Sequence, residues 1–238
     1  MAAPLLSISG VTKSFGGLVA VRNMSFDVAA GEVMGLMGPN GAGKTTLLNI
    51  IAGTYSPDSG IIKFKDHSIS GIPQHKICHL GITRTYQIPQ PFTNLSALQN
   101  VMVAAIYGRN MSRAEAETEA DQILETVGLA DRRDALAKDM LVVTLKRLEL
   151  ARVLATKPEL LLMDEVAAGL TEEEIPKVLE LLKGVNEMGI TIILIEHVMK
   201  VMMSAVNRII VMDKGAKIAE GKPGEIMEDR KVIEAYFG

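Results

Sequence analysis

The sequence predicts an α/β fold with a mostly parallel sheet that helices cover on both faces. Two observations carry this prediction. From residue 160 onward, short apolar runs alternate with segments of helical periodicity, which is typical of parallel strands joined by crossover helices. Residues 38–45 (GPNGAGKT) form a glycine-rich segment between an apolar run and a helical pattern.

The first part of the chain is predicted to be rich in strands. A turn at Phe15, Gly16 and Gly17 separates the first two strands, and the turn signal SPDSG at residues 56–60 precedes another. The expected strands cover residues 5–11, 19–28, 32–37, 61–65 and 81–87, and a helical pattern covers residues 46–52.

The middle of the chain changes character and is predicted to form a helical subdomain over residues 95–155. Helical periodicity covers residues 95–107, 113–127 and 145–155. Strands are then expected at 160–163, 190–195 and 208–212, and helices at 171–188 and 198–204. Thr171 and Glu174 form a capping-box signature, and Gly215 and Gly221 bracket a short final strand. Residues 1–94 and 156–238 are therefore expected to form one core around the subdomain.

Composition excludes several classes of function. The chain has 238 residues, 48% of them hydrophobic, so a substantial core can form. A net charge of −3 without a long Lys/Arg run argues against nucleic acid as a partner. The single cysteine, Cys78, suits a reducing cytoplasm, and no signal peptide is expected. Apolar runs such as residues 192–195 are too short to span a bilayer, so any membrane role requires a partner.

The glycine-rich segment predicts a phosphate-binding loop. Its glycines let the backbone wrap closely around phosphate with N–H groups inward, and the following helix adds its positive end. Lys44 would reach the β- and γ-phosphates of a nucleotide, and Thr45 would hold Mg²⁺. The alternative is a simple glycine-rich turn before a helix. The expected phosphate-binding residues are Asn40, Gly41, Ala42, Gly43, Lys44, Thr45 and Thr46.

Two acidic residues end the apolar run at residues 160–163. A buried strand that ends in carboxylates places them at the carboxyl edge of the sheet, where ligands of such sheets bind. Asp164 would support Mg²⁺, through water, and Glu165 would polarise the attacking water as general base. The alternative is that both acids cap a helix.

His197 follows the next apolar strand, directly after Glu196. Its place at a strand's carboxyl end favours contact with the γ-phosphate. The alternative is a structural histidine.

These elements together resemble the nucleotide-binding subunit of ATP-binding cassette (ABC) transporters over essentially the full chain. The resemblance implies a P-loop NTPase (ABC ATPase) core with an N-terminal antiparallel β part, ATP or ADP with Mg²⁺ as bound groups, and transmembrane permease subunits as partners. It implies that Phe15 stacks on adenine. Gln87, in the segment RTYQ at 84–87, matches the family's Q-loop, which senses Mg²⁺ and the attacking water and touches the membrane partner. His197 matches the switch histidine.

Four stretches look like the branched-chain amino-acid importers of this family, and importers of urea and other small amides look similar. They are FGGLVAV at 15–21, RTYQ at 84–87, LELAR at 148–152 and EAYFG at 234–238. The resemblance implies an ATP-hydrolysing subunit that powers uptake of branched-chain or related amino acids. It would lie in the cytoplasm, peripheral on the inner face of the cell membrane, and an external substrate-binding protein would be an indirect partner.

The sequence departs from the family at the signature loop, where Leu-Ser-Gly-Gly-Gln is expected and residues 140–144 read MLVVT. Leu141 cannot donate the hydrogen bond of the serine, and β-branched Val143 would hold a phosphate away. Losing one such donor costs about 10²- to 10³-fold in rate. Milder departures are Val166 in place of proline and Thr171 at the end of the D-loop, residues 168–171.

In this family the signature loop closes over nucleotide bound to the opposite subunit. The resemblance therefore implies a heterodimer with a second, related ATPase, in which one composite site works; pairing with itself would impair both sites. An alternative is that the loop is an engineered or damaged sequence in an ordinary subunit. Two other functions stay open: a nucleotide-binding regulatory subunit with little hydrolysis, and a small-molecule kinase. A GTPase is disfavoured because the chain has no N-K-x-D stretch.

Overall fold

The computed structural model describes residues 3–167, 169 and 171–237. It divides into two compact units, residues 1–77 with 162–238 and residues 78–161. The strands are β1 (Leu6–Phe15), β2 (Leu18–Val28), β3 (Val33–Met37), β4 (Ser59–Phe64), β5 (His67–Ser68), β6 (Ile82–Arg84), β7 (Leu160–Asp164), β8 (Thr191–Ile195), β9 (Arg208–Asp213) and β10 (Ala216–Gly221). The α-helices are α1 (Lys44–Ile51), α2 (Gln74–His79), α3 (Ala97–Arg109), α4 (Arg113–Thr126), α5 (Val142–Leu154), α6 (Ile175–Glu187), α7 (Met199–Ala205), α8 (Pro223–Glu228) and α9 (Arg230–Phe237).

The first unit contains an antiparallel sheet in the order β2-β1-β4-β5. Its first hairpin pairs Leu6 with Val28 and Phe15 with Leu18. Gly16, with φ of 58°, allows the tight turn between these strands. The hairpin therefore leaves Phe15 at the tip of β1.

Five neighbouring strands of the larger sheet follow the order β10-β9-β3-β8-β7. Strand β3 pairs in parallel with both β8 and β9, and β10 pairs antiparallel with β9. Every residue of β3, β7 and β8 is buried, as expected for parallel strands covered on both faces. The carboxyl ends of these strands meet at one edge, and the candidate site lies there. The predicted α/β fold class is confirmed.

Four predicted elements differ from the observed ones by three or more residues at one end. Strand β1 continues to Phe15 rather than ending at residue 11, and α5 begins at Val142 rather than at residue 145. The strand expected at 81–87 ends at Arg84, because the backbone N–H of Tyr86 donates to the carboxylate of Glu149, 2.7 Å away, rather than to a strand. The helix expected at 171–188 begins at Ile175, followed by Pro176, whose fixed φ and missing N–H suit a first turn. Glu174 still accepts from the Thr171 N–H (2.9 Å), in the turn before the helix.

Helices α2, α8 and α9 and strand β5 were not expected from the sequence. The expected helical subdomain at residues 95–155 lies inside the second unit, which also contains β6 and the loop that follows it. Across the residues described, no helix is both long enough and apolar enough to cross a bilayer.

Candidate functional site

The loop between β3 and α1 is packed tightly against neighbouring backbone. A Cβ added to Gly38 (φ 147°) would lie 2.1 Å from the carbonyl oxygen of Met212. One added to Gly43 (φ 99°) would lie 2.1 Å from the carbonyl oxygen of Ala20. At Gly41 (φ 80°) an added Cβ would meet nothing within 4 Å. Two glycines are thus required for the loop to approach its neighbours, and the third borders open space.

Hydrogen bonds fix the inner side of this loop while its outer side faces solvent. The N–H of Gly215 donates to the carbonyl of Ala42 (3.0 Å), and the N–H of Ala42 donates to the carbonyl of Pro39 (3.1 Å). Asn40, Gly41 and Thr45 are exposed, and Gly43 and Thr46 are half-buried. The start of α1 thus lies beside an accessible loop surface, an arrangement that suits anions.

Lys44 is buried inside the loop. Its ammonium donates to the carbonyl oxygens of Gly38 (2.7 Å) and Pro39 (3.0 Å). Burial lowers the pKa of Lys44, while the negative charges of Glu165 and Asp164 act in the opposite direction. The ammonium of Lys44 therefore lies in the field of both carboxylates at the end of β7.

The two carboxylates differ in their surroundings. Asp164 is buried as the last residue of β7, whereas Glu165 is partly exposed and has φ of 52°. This left-handed conformation costs about 1–3 kcal/mol in a non-glycine residue and is concentrated at functional sites. The N–H of Glu165 donates to the carbonyl of Ile195 (2.9 Å), at the end of β8. The backbone thus aims Glu165 away from the strand, towards the segment that follows β8.

His197 lies in that segment. Its Nε2 atom is 3.2 Å from Oε1 of Glu165. The structure therefore brings together four of the residues singled out in the sequence: Lys44, Asp164, Glu165 and His197.

Glu196 is a site residue that the sequence did not single out. This carboxylate is 3% exposed, and it accepts hydrogen bonds from the backbone N–H groups of Ala167 and of His197, the latter at 3.1 Å. It therefore ties the segment after Glu165 to the segment that carries His197. The available signal was a charged residue directly after the five buried residues of β8.

Phe15 carries an accessible ring at the tip of β1. The ring is edge-on to Tyr55, with centroids 5.2 Å apart and an interplanar angle of 74°. The ammonium of Lys13 lies 5.6 Å from the Phe15 centroid. Ala20, whose carbonyl packs against Gly43, is two residues beyond the cross-strand partner of Phe15, so the hairpin links this ring to the glycine-rich loop. Tyr55 was not identified from the sequence.

Gln87 lies in the second unit, exposed in the loop after β6. Helix α5 holds this loop on both sides of Gln87. Glu149 accepts from the N–H of Tyr86, and the Arg152 guanidinium donates to the carbonyl of Gln90 at 2.7 Å. Burial raises the pKa of Glu149 to about 7, against the opposing effects of the Tyr86 hydrogen bond and of Arg152.

The altered segment at residues 140–144 forms the start of α5. Leu141 is the N-cap residue and is 79% exposed, and Val142, the first helical residue, is 64% exposed. Among the residues that the structure describes, no side chain caps this helix start. Exposed apolar side chains therefore stand at the start of α5, where a signature loop is expected to carry a hydroxyl donor. Of the D-loop, Ala168 and Leu170 lie outside the described residues.

In the described ranges, no group of three or more His, Cys, Asp or Glu side chains could hold a metal ion. The Thr45 hydroxyl and the Asp164 carboxylate are hard oxygen donors, the type that Mg²⁺ prefers. This donor set fits a Mg²⁺ ion whose remaining ligands come from phosphate and water, and does not fit an all-protein metal cage.

Comparisons with known proteins identify the family of the chain. A family described as ABC transporter matches residues 21–168, and one described as Branched-chain amino acid ATP-binding cassette transporter matches residues 216–238. The chain is 36% identical to the high-affinity branched-chain amino acid transport ATP-binding protein LivG of Escherichia coli K12, over all of this chain and 99% of the relative. It is 37% identical to BraF of Pseudomonas aeruginosa, with the same coverage. The crystal structure of the ADP conformation of MJ1267, an ATP-binding cassette of an ABC transporter, superposes with a TM-score of 0.89 at 29% identity, with full coverage of both chains.

Proposed function

Because the chain belongs to the ATP-binding subunits of ABC transporters, it is a transport ATPase, and we propose that its transporter takes up branched-chain or related amino acids. The match of residues 216–238 and the names of LivG and BraF support this substrate class. The observation that carries hydrolysis is the convergence of Lys44 with Asp164, Glu165 and His197 at one edge of the sheet.

In this proposal the glycine-rich loop binds the phosphates and Phe15 stacks on adenine. The ammonium of Lys44 exchanges the carbonyls of Gly38 and Pro39 for oxygens of the β- and γ-phosphates. Amide N–H groups of the loop residues 40–46 add donors around the same phosphates. Thr45 and Asp164 would hold Mg²⁺, which neutralises phosphate charge when bound.

Glu165 acts as the general base of the reaction. Its carboxylate takes a proton from water as the water oxygen bonds to the γ-phosphorus, and the bond to the bridging oxygen breaks to release ADP and phosphate. His197, 3.2 Å from Glu165, orients that carboxylate and reaches the γ-phosphate. The strained backbone of Glu165 pre-sets its direction before ATP arrives.

The altered start of α5 leads to an asymmetric assembly. The side chains of Leu141 and Val142 cannot donate to a phosphate across a dimer interface, so a homodimer of this chain would have two impaired sites. We infer a heterodimer with a related ATPase whose intact signature loop completes the site on this chain. In this chain, residues 95–155 form the helical subdomain, and residues 1–94 and 156–238 form the nucleotide-binding core. Permease subunits and, indirectly, an external binding protein complete a transporter on whose cytoplasmic face the chain is peripheral.

The same altered segment favours a second candidate, a regulatory subunit that binds nucleotide and hydrolyses it very little. Intact Glu165 and His197 argue against it, because a binding module needs no base paired with a histidine.

Two variants separate these functions. Lys44→Ala is expected to abolish ATP binding, measured by calorimetry. Glu165→Gln is expected to keep binding but to lower single-turnover hydrolysis, measured with the partner ATPase present, at least about 100-fold, because it removes the base. Glu180→Gln, an exposed carboxylate on α6, is the matched control and should match the wild type in both measurements. If the wild type with its partner hydrolyses ATP no faster than Glu165→Gln with the same partner, the regulatory function stands. If Lys44→Ala binds normally, the proposed site is wrong.

A further inference from the structure

Helix α9 reaches the first residue of the glycine-rich loop. The hydroxyl oxygen of Tyr236 accepts a hydrogen bond from the backbone N–H of Gly38, at 2.8 Å, across 198 residues of sequence. Burial raises the pKa of Tyr236, and its hydrogen bond with Gly38 only partly offsets this, so the hydroxyl stays protonated at neutral pH. A neutral acceptor thus faces the junction between β3 and the loop.

Gly38 is hydrogen-bonded through both its N–H and its C=O and has no room for a side chain. The residue is buried, and the Met212 carbonyl occupies the position where a Cβ would lie. Its own carbonyl accepts from the ammonium of Lys44 at 2.7 Å. The N–H of Gly38 is therefore bound by Tyr236 and its C=O by the lysine that the proposed function places on the phosphates. Without Tyr236 this N–H would be a buried donor lacking this acceptor, which proteins avoid.

We propose that Tyr236 is a positioning residue of the phosphate loop, through which helix α9 sets the affinity for nucleotide phosphates. The inference rests on the proposed role of the loop in binding nucleotide. Fixing the Gly38 peptide keeps the loop in the conformation that binds phosphate, so less of the binding free energy is spent on ordering it. Because such coupling is reciprocal, bound nucleotide also tightens α9 onto the loop.

Tyr236→Phe removes the acceptor and keeps the ring. We expect the Kd for ADP and for ATP to rise about 3- to 10-fold, the range for loss of one hydrogen bond. The melting temperature without nucleotide is expected to fall by about 2–8 °C, because a buried N–H loses its acceptor, and the rise in melting temperature on adding ADP is expected to shrink as well. Exchange of the Gly38 amide proton, followed by NMR, should become about tenfold faster. Tyr107→Phe, on an exposed ring of α3, is the control and should change none of these values.

ADP binding by Lys44→Ala, measured in the same way, distinguishes failure of this inference from failure of the proposed nucleotide site. If Lys44→Ala loses ADP binding and Tyr236→Phe binds as the wild type does, the positioning role is overturned and the site stands. If Lys44→Ala binds ADP normally, the proposed nucleotide site is wrong, and so is the inference about Tyr236. A weaker Kd in Tyr236→Phe with unchanged exchange at Gly38 also overturns the inference, because the effect would not pass through this hydrogen bond.

Discussion

His197 Nε2 lies 3.2 Å from Glu165 Oε1, although the two residues follow different strands of the sheet. Strands β7 and β8 are neighbours, and the N–H of Glu165 donates to the carbonyl that ends β8. The left-handed backbone of Glu165 then turns its side chain towards the segment after β8. Sheet order and one strained residue together produce the pairing of base and histidine on which the proposed hydrolysis depends.

Glu196 is expected to act on hydrolysis by positioning this pair. In Glu196→Gln one acceptor oxygen becomes a donor amide, which cannot accept from both Ala167 and His197. We expect kcat for ATP hydrolysis to fall about tenfold with KM nearly unchanged, because the loss affects the transition state rather than ATP binding. Steady-state kinetics of the chain with its partner ATPase, at several ATP concentrations, measures both constants. A rise in KM at constant kcat would contradict this role.

Gly43→Ala tests the packing of the loop against β2. The added Cβ would lie 2.1 Å from the Ala20 carbonyl in a backbone with φ of 99°. We expect the free energy of unfolding to fall by about 2–4 kcal/mol, from strain and steric overlap together. Gly224→Ala, in helix α8 where an added Cβ meets nothing within 4 Å, is the control and should be at least as stable as the wild type. Equal urea midpoints for the two variants would show that the loop relaxes without cost.

Glu149 is expected to make stability depend on pH. Its pKa is about 7 in the folded protein, above its ordinary value, so the folded state binds a proton that the unfolded state has released. The contribution of Glu149 to the free energy of unfolding is therefore fully present below about pH 4 and is lost as the pH rises towards 7. The loss is on the order of a few kcal/mol. Glu149→Gln cannot titrate, so its urea midpoint should fall less than that of the wild type between pH 5 and pH 8. Parallel curves for the two proteins would contradict the raised pKa.

The sequence predicted the sheet and the loop because their signals are local. Strands β3, β7 and β8 are continuous apolar runs, and the glycine-rich segment has its own spacing. Placing Asp164, Glu165 and His197 at strand ends was enough to predict that they share one edge. The start of α6 and the end of β6 were misjudged, because a turn before Pro176 and the distant carboxylate of Glu149 decide them.

The contacts of Glu196 and Tyr236 could not be predicted from one sequence. Tyr236 and Gly38 are 198 residues apart, and no sequence spacing links the two residues. Glu196 is adjacent to His197, yet its partner Ala167 comes from another strand's end. Both contacts depend on tertiary structure, and the local sequence pattern does not predict them.

We expect the altered start of α5 to leave this chain dependent on a partner's signature loop. The most direct test is the steady-state ATPase rate of the purified chain alone, compared with a variant that carries Leu141→Ser, Val142→Gly, Val143→Gly and Thr144→Gln. The restored loop should raise the rate at least about 100-fold, because several donors to phosphate return together, and adding Glu165→Gln should abolish the gain. A wild-type chain that already hydrolyses ATP as fast as the restored variant would contradict the claim.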